Sequence, residues 1–90
     1  MPMFVIERKI PGSGQMTPEE LKGIARKSCD VAAQLDGYNW VHSYVADDTW
    51  YCIHEVPSAD VIREHARRGG FPADRVAEVH SIVNSRTGRE

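Results

Sequence analysis

Histidine, glutamate and tyrosine side chains gather in one stretch of this 90-residue chain, Tyr38 to Val56, YNWVHSYVADDTWYCIHEV. It holds both tryptophans, all three tyrosines, Cys52, His42 and His54. Imidazole nitrogen and carboxylate oxygen suit divalent first-row metals such as nickel or zinc. The same groups can carry protons in general acid–base chemistry. No pair stands at a diagnostic spacing such as HExxH or CxxC, so the residue types point to metal or ligand binding without defining a ligand set. A partly wet interface, in which histidines and glutamates hydrogen-bond one another, is the plainer explanation.

Which of these groups can meet depends on a hairpin. The stretch reads as two strands folded back at Asp47-Asp48. A two-residue turn pairs Ala46 with Thr49 and sets Trp40, His42, Tyr44, Tyr51, Ile53 and Glu55 on one face. Val41, Ser43, Val45, Trp50, Cys52 and His54 then take the other. A three-residue loop would exchange the whole second strand and bring Cys52 and His54 beside His42. The first register is preferred because it leaves one face small and apolar enough to receive a helix. On it, Glu7, His42, Glu55, Glu78 and His80 share the uncovered face with the aromatic rings.

Outside the hairpin, His65 projects from the inner side of a second helix, where a histidine most simply satisfies a backbone carbonyl at the core edge. Cys52 as a nucleophile would need a base or a cation beside it; facing the helices, it reads as an inert buried thiol, and Cys29 reads the same way. Gly12-Ser13-Gly14 lacks the spacing and the lysine of a phosphate loop. Arg63, Glu64, Arg67 and Arg68 form a solvated helix face, with Glu64 and Arg68 able to pair. Turn chemistry accounts for Asp47-Asp48.

The supporting elements follow in order. Met3 to Ile10 alternates as a strand and stops at Pro11-Gly12. Thr17-Pro18-Glu19-Glu20 predicts a helix start with a capping box, followed by an apolar stripe at Leu21, Ile24, Ala25, Ser28, Ala32 and Leu35, with Gly37 ending the helix. After the hairpin, Ser58 caps a second helix carrying Ile62, His65 and Ala66 on one side, and Gly69-Gly70 stops it. A final strand is expected over residues 75–83. The domain then spans 1–84, with 85–90 a disordered tail.

The order β-α-β-β-α-β is the split βαβ arrangement of ferredoxin-like α+β domains: a four-stranded antiparallel sheet with two helices on one face. The other face, with Trp40, Tyr44, Tyr51 and Ile53, is too aromatic to stay in water, which predicts a homodimer enclosing a shared chamber between two sheets. The net charge of −2, with both signs mixed along the chain, argues against a nucleic-acid surface. No apolar run approaches the roughly 20 residues of a membrane span, and MPMFVIERKI does not read as a signal peptide. A cytoplasmic protein with two free thiols is the expectation.

FVIER followed by Pro11-Gly12, then WVHSYVADD, YCIHEVP and REHARRGGFPADRV, together resemble a small bacterial ferredoxin-like family. A characterised member of that family is a nickel-binding protein forming a dimeric α+β barrel. The resemblance runs from Phe4 to about Val83. Its motif positions here are Glu7, Arg8, Trp40, Ser43, Tyr44, Asp48, Tyr51, Cys52, Glu55, His65, Ala66, Phe71 and Pro72. The resemblance implies the dimeric barrel and makes nickel the leading ligand. His42, Glu7, Glu55 and His80 are the candidate metal ligands, with His65 next. An alternative is a dimeric barrel enzyme of monooxygenase, cyclase or isomerase type, with Trp40, Tyr44 and Tyr51 binding a small apolar substrate. An enclosed apolar pocket of several hundred cubic ångströms, by order of magnitude, would favour that reading. A bare interaction module would need neither metal nor pocket.

Overall fold

In the computed structural model, which describes residues 1–90, the elements run β1 (Met3–Lys9), α1 (Pro18–Ala32), β2 (Asn39–Ala46), β3 (Thr49–Glu55), α2 (Ala59–Gly69) and β4 (Arg75–Glu78). The four strands form one sheet in the order β2-β3-β1-β4, and the observed pairings are antiparallel. This is the ferredoxin-like α+β arrangement that the sequence predicts.

Local chemistry explains the elements. Thr17 and Glu20 make the reciprocal capping box at the start of α1, with bonds of 3.2 and 3.0 Å, and Pro18 occupies the first helical position. α2 ends on Gly70 in the left-handed conformation, φ 70°, which spares a Cβ clash. Its polar face carries Glu64 bridged to both Arg67 and Arg68. The hairpin turns at Asp47, the non-glycine residue with positive φ. That turn is bound from outside: Ile10 and Gly12 donate backbone amides to the Asp48 carbonyl and carboxylate, and Ser13 Oγ donates to the Asp47 carbonyl.

The core lies between the helices and one side of the sheet. Phe4, Ile6, Trp50, Cys52, Val56 and Ile62 form its buried cluster, with Leu21 and Ile24 of α1 packed against it. β1 supplies every second residue, so Phe4, Ile6 and Arg8 face inward while Val5 and Glu7 face outward.

The hairpin register has Ala46 opposite Thr49, as a two-residue turn requires, and it places Cys52 and His54 on the helix side. One irregularity changes the outcome. Trp40 pairs with His54 while His42 pairs with Ile53, so Val41 is an extra residue, a β-bulge. Upstream of Val41 the alternation inverts, and Trp40 moves from the expected open face to the helix side.

Further expectations are corrected, the first being the end of α1, which stops at Ala32 instead of continuing through Leu35 to Gly37. β4 stops at Glu78 instead of continuing to Val83, because the backbone amide of Val79 makes the last bond to β1, at Met3, and the chain then leaves the sheet. Glu78 pairs with Phe4 and therefore belongs to the helix side, not the open face. Cys29 is exposed, one step off the buried positions Ser28 and Val31 of α1. The last residues carry a short exposed turn at Thr87–Arg89.

Candidate functional site

The sheet divides the sequence-predicted residues into two groups. On the open side, the register gathers Glu7, Tyr51, Ile53, Glu55, His42 and Tyr44. Tyr44 is 61% exposed and Tyr51 38% exposed, and the His42 and Tyr44 rings meet edge to face at 4.9 Å. Glu7 lies 3.8 Å from Arg75, and Glu55 accepts a bond from Asn39. Glu7 and Glu55 are level with residues 51 and 55 of β3, about 13 Å apart along the strand. His80 lies beyond β4 and is exposed. No three His, Cys, Asp or Glu residues of one chain come close enough together to hold a metal ion. The donor types on this face suit nickel, but one chain does not supply a complete set.

On the helix side is a second constellation, which the sequence does not assemble as a group. Trp40, His54, His65, Phe71 and Arg8 line one small space, and Tyr38 packs on both histidine rings. Tyr38 stacks on His65 at 4.6 Å, His65 on Phe71 at 5.4 Å, and Trp40 on His54 at 6.2 Å. The His54 and His65 ring centroids are 5.9 Å apart, and each residue is 1% exposed.

His65 meets the expectation of a carbonyl partner: its Nε2 lies 3.1 Å from the Ser28 carbonyl and 3.2 Å from Ser28 Oγ. A carbonyl oxygen only accepts, so Nε2 carries the proton and Nδ1 is a bare lone pair. That Nδ1, the Nδ1 of His54 and the Tyr38 hydroxyl are all buried without a partner. Burial pushes the His54 imidazole down to about 3, with the Arg8 charge and then His65 adding to the effect. His65 is also lowered by burial, against the bond to Ser28, which favours its charged form. Burial raises the Tyr38 phenol. Both histidines are therefore neutral at pH 7.

Arg8 is the cation in this environment. It is 4% exposed, donates from Nη1 to the Pro72 carbonyl at 2.6 Å, and lies 5.8 Å over the Phe71 ring. No carboxylate pairs with it; the ion pairs of the chain are those of Glu64 and Glu7. Arg8, Ser28, Trp40, Ser43, His54 and His65 line a cavity of about 20 Å³, roughly enough for one water molecule. Trp40 no longer shares a face with Tyr44 and Tyr51, so these three rings do not form one substrate surface.

One signal for this cluster was present in the sequence. Arg8 follows Phe4 and Ile6 at strand period, a charge on the apolar side of β1. Ser28 interrupts the α1 stripe in the same way. Nothing in the local pattern marks the bulge at Val41.

A family model described as "Nickel responsive protein SCO4226-like" matches residues 4–79. Among solved structures, that of SCO4226 from Streptomyces coelicolor A3(2) superposes with a TM-score of 0.76 at 23% sequence identity. The match covers 90% of this chain and 99% of that one, and it supports the shared fold. A comparison with curated protein sequences gives no match.

Proposed function

The chain belongs to the SCO4226-like family of nickel responsive proteins, and we propose that it is a homodimer binding a divalent metal, nickel first, through side chains of the open sheet face. The observation that carries this reading is the exposed, uncovered surface around Tyr44, with His42, Glu7 and Glu55 set among its rings. An aromatic surface of this kind seeks a partner. A second copy is the simplest one, because a two-fold axis presents the same patch to itself.

Dimerisation also resolves the shortage of ligands. One chain brings no three donors together, whereas a pair of chains would offer two copies each of His42, Glu7 and Glu55. Imidazole and carboxylate are appropriate donors for nickel. His80 is a further candidate on the exposed segment after β4. His65 is the weakest of the five, since the sheet separates it from the others and Ser28 already occupies its Nε2. When bound, the metal would supply Lewis acidity or simply be sequestered. The protein's part is to orient the imidazoles and limit water on the covered face.

The test is calorimetric titration of tag-free protein with nickel, together with its mass in solution. A dimer that binds nickel, and whose His42→Ala variant binds about tenfold or more weakly, supports the reading. A monomer, or nickel binding unchanged in both His42→Ala and Glu55→Gln, overturns it.

A further inference from the structure

We propose that the segment following β4, residues 80–84, is an arm that one copy of the chain lends to another, adding as a strand to the outer edge of the second copy's β2. The arm presupposes the homodimer proposed above and supplies it with a backbone contact.

Two parts of the molecule are left unpartnered by their own chain. The first is the arm. Val79 makes the last backbone bond to β1, at Met3, and no backbone group of residues 80–83 is bonded after it. Ile82 and Val83 are 72% and 77% exposed. Beyond them Asn84 and Thr87 bond reciprocally, each side chain accepting the other's amide at 3.2 and 3.1 Å, so the far end of the arm is locally fixed. The second part is β2, the end strand of the sheet. Its residues make no backbone bond outside the ladder with β3. It carries no proline, lysine, arginine, aspartate or glutamate, the residues that usually keep a bare edge from pairing. The bulge at Val41 disturbs only its start, which leaves residues 42–46, a stretch as long as the arm.

The side chains favour addition at the edge. Apart from Met1, the large apolar side chains that a single chain leaves exposed are Val41, Tyr44 and Val45 of β2, Tyr51 opposite Tyr44, and Ile82 and Val83 of the arm. Tyr44 pairs with Tyr51 on the open face, whereas Val45 pairs with the buried Trp50 and so lies on the helix side. Stacking two open faces covers Tyr44 but does not reach Val45. Neighbouring residues of a strand point to opposite faces, so an arm bonded along β2 sets one of Ile82 and Val83 beside Tyr44 and the other beside Val45. Backbone bonds then supply affinity, and the two side chains select the register. In a two-fold pair each chain gives one arm and receives one, so both exposed apolar patches are covered by the same contact.

The test compares the full chain with a double variant, Ile82→Asp with Val83→Asp, by sedimentation over a range of concentrations and by amide hydrogen exchange. The parent is expected to be a dimer in which at least one of the Ile82 and Val83 amides is protected. Both changes fall on exposed side chains, so the variant should keep the thermal midpoint of the monomer fold and the protection of β1. Its dimer should dissociate about a hundredfold more readily, the order expected for two aliphatic side chains returned to water. A parent dimer whose arm amides exchange like those of an unstructured segment, or whose dissociation the substitutions leave unchanged, overturns the arm and leaves the metal reading of the open face standing. Arm amides protected at concentrations where the parent is monomeric place the arm on its own chain and overturn it as well. A parent that is monomeric throughout overturns the arm and the homodimer together.

Discussion

Trp40 and His54 face each other across β2 and β3 with their rings stacked at 6.2 Å, although strict alternation from the turn would set them on opposite sides of the sheet. The extra residue Val41 makes the difference, and through it the buried histidine gains an indole cover.

Deleting Val41 would restore the alternation and turn Trp40 toward the open face. His54 would then lose its stacked neighbour and the cavity one wall. We expect a loss of about 2–4 kcal/mol, in the range of a large ring removed from a partly buried site. Urea unfolding of the deletion variant and of Trp40→Ala checks this; two curves matching the parent would show that the bulge has no structural weight.

The buried histidines give stability a pH slope. His54 has its folded value depressed to about 3, below the ordinary 6.5, and His65 is lowered too. Between those values the unfolded chain binds the extra proton, so the contribution is fully present above pH 6.5 and lost as pH falls through 6 and 5. The slope from His54 approaches about 1.4 kcal/mol per pH unit, and His65 adds in the same direction. Denaturant titrations at pH 7.5, 6 and 5 should show this fall, and His54→Phe should flatten it.

Gly69 shows how closely α2 is packed at its end. A Cβ there would run into the Phe71 ring, which also stacks on His65 and covers Arg8. Gly69→Ala should therefore destabilise by about 1–3 kcal/mol despite alanine's better helix propensity. The thermal midpoint of the variant measures this directly. An unchanged or raised midpoint would mean that the ring moves aside at no cost.

Charging the open face should separate the proposed dimer while leaving each fold intact, since Tyr44 is 61% exposed in the single chain. Tyr44→Asp is expected to halve the solution mass and to abolish nickel binding with it. A monomeric variant that still binds nickel would place the metal within one subunit.

Replacing the α1 cap has a smaller and more local effect. Thr17→Ala removes the acceptor for the Glu20 amide and should cost about 1 kcal/mol. Chemical unfolding midpoints for the two proteins provide the comparison, and a difference near zero would mean that water replaces the cap.

The amino-acid order alone determined every element with a local cause: the capping box at Thr17, the glycine stop after α2, the two-residue turn at Asp47-Asp48, and the inward side of β1. These follow from interactions within a few residues, so the ferredoxin-like order could be read directly. Tertiary structure decided the rest. Whether Trp40 points up or down depends on how β2 pairs over its whole length, and a single bulge inverts everything upstream of it. The length of β4 depends on where β1 stops offering partners. The meeting of Arg8, Ser28, His54 and His65 comes from four elements, β1, α1, β3 and α2, brought together by packing α1 and α2 on the sheet. Periodicity places a residue on a face, but only the packed fold determines which residues on that face share one cavity.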